Sequence, residues 1–578
     1  MFLPTSREEM QALGWRVPDI ILVTGDAYID SPYIGVAVIG KILLNAGFRV
    51  GVIPQPDIHS DKDIRRLGEP ELFWGVSGGS VDSMVANYTA GRKFRKTDDY
   101  TPGGLNGKRP DRAVIVYSNL IRRYFKNTKP IVLGGIEASL RRLAHYDFWS
   151  NEVRRSILFD AKADYLVYGM GEKTVLDLAR GIRSGSAPDH LPGICRISRE
   201  KRHDYIELPS FEQTAMDKQA FIDMFKTFYA NSDPLTAKGL CQRQDNRYLI
   251  QNPPAAYLTR EELDAGYDLE FERDAHPSHR SQGTVKAIET IRFSIPTHQG
   301  CYGECNFCAI AVHQGRTVRW RSPESILTEA RLLTKLPDFR GRILDIGGPT
   351  ANMYGIECSL KKTRGSCRDR RCLYPDICPH LRVDHKKQLD LLNNLRSIPN
   401  IKQVFVASGL RHDLVIADRS NGDTYLREIV RHHISGQLKV APEHSERNVL
   451  SLMGKPEIEK LVEFRKRFVN LNRLAAKSQF LTYYLMAAHP GCRAQDMRRL
   501  QCFSSQELKI HPEQIQIFTP APSTFSSLMY HTEMDPFSGE PLFVEKNSAR
   551  KQSQKEILLG PRTKSRQKPH FRRHSPPR

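Results

Sequence analysis

Residues 297 to 316 read THQGCYGECNFCAIAVHQGR, with Cys301, Cys305 and Cys308 in a C-x3-C-x2-C spacing. Three thiolates on one short loop can ligate three irons of a cubane and leave the fourth iron open to another ligand. The other metal such a run could hold is zinc, with a remote fourth donor such as His298 or His313. Zinc knuckles, however, usually repeat CxxC pairs. The run follows an apolar stretch ending at Ile295, so the three thiols sit on the loop after a strand.

Outward from this loop, strand candidates recur at 291–295, 342–346, 402–407, 437–440, 481–486 and 514–518, separated by helical patterns. A helix from Pro323 to Leu336 is marked by Ser322 as its cap and by proline at its first position. Six strand-helix units over residues 286–530 predict an incomplete parallel barrel, a partial (βα)6 arrangement with its chemistry on the loops after the strands. Glu443 and Asp345 stand at such strand ends and are the acid-base candidates; no histidine is nominated as a base.

The first 185 residues also alternate apolar runs with helical patterns, predicting strands at 19–23, 49–53, 72–76, 131–133 and 165–168. That is an α/β, doubly wound, Rossmann-like domain. Its ligand site is expected at the carboxyl ends of the strands, near Thr24-Gly25-Asp26 and Ser77-Gly78-Gly79-Ser80. Residues 186–285 lose the alternation and read as a bridge. Residues 531–578 form an extension, and its tail, PRTKSRQKPHFRRHSPPR, holds seven Lys/Arg and no acid. The tail is read as disordered, either solvated or in contact with nucleic acid.

Across 578 residues, 40% hydrophobic and 26% charged residues give a folding, water-soluble balance over several domains. The formal net charge of +21 attracts polyanions. No basic-then-apolar leader opens the chain and no run of about 18 apolar residues occurs. A cytoplasmic protein without membrane association is expected. Its thiols stay reduced there, so the eleven cysteines favour metal or redox roles over disulfides. A second group, Cys358, Cys367, Cys372 and Cys378, would suit zinc or a second iron-sulfur cluster, or be spare loop thiols.

The loop resembles the CxxxCxxC motif of radical S-adenosylmethionine (SAM) enzymes, including Phe307 before the last cysteine. The resemblance implies a 4Fe-4S cluster whose open iron is chelated by SAM. It further implies reductive cleavage to methionine and a 5'-deoxyadenosyl radical, with electrons from a protein such as flavodoxin or ferredoxin. Gly347-Gly348-Pro349-Thr350 is similar to the glycine-rich SAM motif, so Gly347 and Gly348 are the expected contacts. Pro349 replaces that motif's acid. KVAPEH (439–444), His489-Pro490-Gly491 and Thr519-Pro520-Ala521-Pro522 resemble later SAM-pocket and barrel-closing segments.

More narrowly, the chain resembles the YgiQ family of radical SAM proteins through VTGDAYIDSPYIG (23–35), VANYTAGRK (85–93), YTPGG (100–104), IVLGGIEASLRRLAHYDFWSN (131–151), GGPTANMYG (347–355) and MYHTEMDPFSGE (529–540). The N-terminal domain is similar to cobalamin-binding domains that precede radical SAM barrels. Pro32 stands where their D-x-H-x-x-G loop carries the cobalt-binding histidine, so cobalamin without that ligand and a purely scaffolding domain both stay open. Methylation or methylthiolation of RNA or protein is the reaction class in view. The contrasting reading is a nucleic-acid-binding protein with a structural or redox-sensing cluster, and the count of three cysteines separates the two, because a structural cluster normally takes four.

Overall fold

Ile20–Thr24, sequence IILVT, is buried at every position, as a strand covered on both faces must be. Val50–Pro54 and Phe73–Ser77 flank it in parallel, with Ile21 opposite Gly51 and Trp74. Ile131–Gly134 and Tyr165–Val167 continue the parallel set. Helices such as Gly35–Asn45 and Glu172–Arg183 cover it. The computed structural model describes residues 1–512 and 514–560, and the basic tail read above as disordered lies outside the described residues.

The sheet does not stop at residue 185. Ile194–Ser198 pairs antiparallel with Tyr165–Val167, followed outward by Arg247–Gln251, Leu240–Gln244 and Ile206–Leu208, giving nine strands. The segment expected to be a bridge from 186 therefore belongs, as far as Gln251, to the N-terminal sheet. Its strands carry buried glutamines that hide the apolar pattern: Gln242, Gln244 and Gln251 are all 1% exposed or less.

In the second half, Ser294–Pro296 pairs in parallel with Asp345–Gly347, and Arg342–Ile343 with Gln403–Val404. A parallel bridge joins Leu410 to Val440, and Gln437–Glu443, Phe480–Ala487 and Gln516–Ile517 run side by side, also parallel. The six expected strand positions are all occupied. Ser322 accepts from the Ser325 amide at 3.1 Å and starts the helix Pro323–Leu333.

The halves share one core. Phe225 packs on Phe525 at 4.8 Å between ring centres, Tyr146 stacks on His531 at 4.8 Å, and the Ser523 hydroxyl donates to the Leu140 carbonyl at 2.8 Å. Among the described residues, no helix is long and apolar enough to cross a membrane.

Candidate active site

The cysteine loop is held at both ends and in its middle. His298–Gln299 pairs antiparallel with Arg319–Trp320, closing residues 300–318 into a hairpin. Gly300 takes φ +80°, and a Cβ there would meet the Thr317 carbonyl oxygen at 2.4 Å, so the turn requires glycine. At the loop's centre Asn306 donates its amide to the Met453 carbonyl at 2.9 Å and its side-chain Nδ2 to Leu452 at 2.8 Å. Glu304 is buried as an anion between Arg316 (Nε at 2.7 Å), Lys361 (3.2 Å) and the Tyr229 hydroxyl (3.1 Å), with these cations holding its carboxyl below the usual range against burial. The turn is thus held by protein contacts alone.

Cys301, Cys305 and Cys308 all line one cavity of about 940 Å³. Three polar groups address their sulfurs: the Gly303 amide approaches Cys301 Sγ at 3.3 Å, the Thr350 hydroxyl Cys301 Sγ at 3.5 Å and the Arg411 guanidinium Cys305 Sγ at 3.7 Å. Burial pushes the Cys301 thiol up and the Cys308 thiol up to about 12. The ligating form is the thiolate, so iron itself has to offset that burial. Among the described residues no three His, Cys, Asp or Glu side chains gather around a single metal ion. A cubane asks for something else, one thiolate on each of three irons. Three thiols on one pinned loop, facing one cavity and touched by N–H donors, fit that group.

Other expected residues fall differently. Gly347 is buried, and its carbonyl already accepts from the Thr297 amide (2.8 Å) and hydroxyl (3.1 Å); a Cβ would meet Ser408 Oγ at 2.8 Å. At Gly348 a Cβ would meet the His298 ring at 2.6 Å, and the residue lines a second cavity. From this strand end it is Pro349 and Thr350 that line the cluster cavity, with Thr350 Oγ1 3.5 Å from Cys301 Sγ. Asp345 is committed to the neighbouring strand end, accepting from the Ala407 amide at 2.8 Å and from the Ser408 amide and hydroxyl, so it is no free base. Glu443 does line the cavity, at φ +70°, 3.9 Å from Lys455, with burial raising its carboxyl pKa. Arg411 was not legible beforehand. It is buried, paired with Asp413 at 2.5 Å, and only its place after the third strand marked it.

The second cysteine group is packed rather than gathered. Cys358, Cys372 and Cys378 are buried among Leu373, Leu381 and Tyr302, and Cys367 is half-buried. Among the described residues they form no group of three around a single metal ion, although Cys358 lies near enough to Cys372 to help raise its thiol pKa.

The second cavity, about 460 Å³, lies at the carboxyl ends of the N-terminal strands, lined by Thr24, Asp26, Ser77 and Gly79 as expected. Its inner wall is apolar, with Leu22, Val38, Gly75 and Val132. Among its lining residues five buried polar atoms lack a partner: Tyr33 Oη, Ser80 Oγ, Glu172 Oε2, His298 Nε2 and His313 Nδ1. Pro32 lines it and offers no imidazole. Pro349 and Ile310 are shared by both cavities.

A doubly wound domain packed on parallel strands, with three cysteines at the mouth of the latter, defines a radical SAM enzyme. The Radical SAM N-terminal family model matches residues 2–294. A UPF0313 protein of Fusobacterium nucleatum is 56% identical over 558 residues (96% of this chain, 98% of that protein). One from Thermotoga neapolitana is 50% identical over 562 residues (97% and 98%). The chain belongs to the UPF0313 family of radical SAM proteins. In fold it is similar to the radical SAM methyltransferase TsrM from Kitasatospora setae, solved with cobalamin and a 4Fe-4S cluster, with TM-score 0.51 and 16% identity over 89% of this chain and 78% of that one.

Proposed function

We propose that the six parallel strands of the second half form the partial (βα)6 barrel of this enzyme. Cys301, Cys305 and Cys308 would hold a 4Fe-4S cluster, and SAM would lie in the 940 Å³ cavity beside them. The carrying observation is that these three thiols, and no fourth cysteine, line that cavity. When bound, the cluster supplies the electron for reductive cleavage of SAM. The chain's own part is placement. Pro349 and Thr350 offer main-chain and hydroxyl groups next to Cys301, while Glu443 and Lys455 form a polar pair on the cavity wall. Arg411 sets a buried positive charge against Cys305, which stabilises added negative charge at the metal centre.

The smaller cavity is read as a cofactor site, since buried polar atoms without partners are costly unless a ligand satisfies them. A lining of apolar side chains with buried polar atoms left unpartnered fits cobalamin, the group present in the TsrM structure, held with no imidazole from the Pro32 loop. Methyl transfer is the reaction class this reading favours, and a flavodoxin or ferredoxin is the reductant. The test is anaerobic reconstitution with dithionite and SAM. Formation of 5'-deoxyadenosine, or of S-adenosylhomocysteine when cobalamin is added, supports the reading. A SAM-insensitive electron paramagnetic resonance spectrum with neither product decides against it.

A further inference from the structure

The cluster cavity opens between two elements remote in sequence, and both present cations to it. On one side is the segment 87–96, NYTAGRKFRK, in which Phe94 stands between Arg92-Lys93 and Arg95-Lys96. Lys93 and Arg95 line the cavity. Lys93 is exposed, and Arg95 spends its Nε on the Val85 and Tyr88 carbonyls, leaving its outer nitrogens free. On the other side is the helix Ser548–Leu559, whose Lys555 also lines the cavity. The ion pairs near that helix belong to Lys546 and Arg550, not to Lys555. The carboxylates in the cavity wall are already engaged, Glu304 with Arg316 and Lys361, and Glu443 with Lys455. The rim therefore carries uncompensated positive charge.

Exposed aromatic faces stand beside those cations. Phe94 is 51% exposed and packs edge-on against Tyr88 at 5.6 Å, while Tyr484, 38% exposed, lines the cavity. Cations that track a phosphate backbone, interleaved with aromatic rings on which bases stack, are the two ingredients of single-strand recognition. The cavity is at the upper end of the usual range for ligand pockets, with room for a nucleoside beside a co-substrate.

We propose that the substrate is a single-stranded nucleic acid, its phosphates held by Lys93, Arg95 and Lys555 while one nucleoside enters between the rims toward the cysteines. This rests on the radical SAM reading for what happens at the floor of the cavity, but binding is measurable without it. The experiment titrates the full-length, cluster-loaded protein against a fluorescein-labelled single-stranded RNA across a range of potassium chloride. A Lys93→Glu, Arg95→Glu, Lys555→Glu triple variant should bind ~10-fold more weakly or worse, with a salt slope lower by about 2, since each lost phosphate contact removes roughly 0.7 from the slope on a single strand. Arg199→Glu is the control: it lies just past Ser198, at the end of a strand running opposite to the parallel set and so at the far edge of the sheet. It should leave the slope unchanged. Iron content and far-UV circular dichroism check the fold. Should the triple variant misfold, Lys93→Gln and Lys555→Gln singly decide, each expected to lower the slope. Ultraviolet crosslinks to peptides holding Phe94 or Tyr484 would support the proposal. Three results overturn it: wild-type binding by the folded charge variants, crosslinks confined to residues 561–578, or equally tight binding of an acidic peptide, which would point to a protein substrate. Failure of SAM cleavage with binding intact would sink the functional reading and leave this one standing.

Discussion

Arg411 shows how much of the site depends on one residue that no motif announces. Its guanidinium is buried, anchored on Asp413 at 2.8 and 2.5 Å, and points a donor at Cys305 Sγ from 3.7 Å. Donors aimed at cluster sulfur favour the reduced state, which carries more negative charge. Arg411→Lys should thus keep iron binding but make the cluster harder to reduce, read as a lower reduction potential in a redox titration monitored by electron paramagnetic resonance. An unchanged potential would mean that Arg411 only anchors Asp413. Cys305→Ala is the stronger lesion: with two protein ligands left, iron content should fall to a small fraction of wild type, measured by metal analysis of anaerobically purified protein. The cysteine loop could be singled out in the sequence because ligand chemistry would fix both residue type and spacing, and the structure brings its three thiols to one cavity. Arg411 could not, because a second-layer donor can come from any strand end. Gly347 is a position where a Cβ would meet Ser408 Oγ, a constraint of packing that stands beside the SAM contact its motif implies.

At the level of elements, the βα alternation was readable wherever strands are covered by helices on both sides and so become continuously apolar. It failed at 194–251, where the partners are buried amides. Gln242 Oε1 accepts from the Ala144 amide (3.1 Å) and from Gln244 Nε2 (2.9 Å), Gln244 Oε1 accepts from the Ser156 amide (2.9 Å), and Gln251 Oε1 accepts from Arg142 Nε (3.0 Å). These side chains replace backbone partners for turns that pack on the sheet, so the strands look polar in sequence while lying in the core. One local signal was present: Asp245-Asn246 between Gln244 and Arg247, with Asp245 at φ +55°, is a two-residue hairpin turn. Gln244→Leu keeps the volume but strands the Ser156 amide. It should cost about 1–3 kcal/mol, seen as a lower denaturant midpoint with an unchanged slope. For the second cysteine group, burial in an apolar core with no three side chains around a single ion gives a matching expectation. Cys367→Ser with Cys372→Ser should leave iron and zinc contents as in wild type, whereas a fall in either would restore that loop as a metal site.

For the whole molecule, the shared core makes the two halves one thermodynamic object, and its buried histidines set how it responds to acid. Burial holds His298, His313, His412 and His433 near pKa 4, and His444 and His489 near 3, against an ordinary value of 6.5. They lie on the cysteine loop, on the helices His412–Ala417 and Ile429–His433, and just past the strands Gln437–Glu443 and Phe480–Ala487, so below about pH 6.5 each stays neutral only while its surroundings are folded. The sign follows from which state takes up the proton. Below about pH 6.5 the unfolded chain protonates these rings and the folded one does not, so stability is full at neutral pH and falls as pH drops from 6.5 toward 4. One such ring held near 4 forfeits ~3 kcal/mol by the bottom of that window, a large share of the ~5–15 kcal/mol that hold a typical domain. Global unfolding should therefore set in well above pH 4. It should be a single transition in which near-ultraviolet circular dichroism and tryptophan fluorescence coincide, because Phe225 to Phe525 and Tyr146 to His531 tie the N-terminal half to the helix Phe525–Thr532 of the second half. Two separated acid transitions would mean that the halves fold independently despite that interface. A midpoint at or below pH 4 would mean that the rings take up protons without unfolding, and that the burial assigned to them is relieved by local opening.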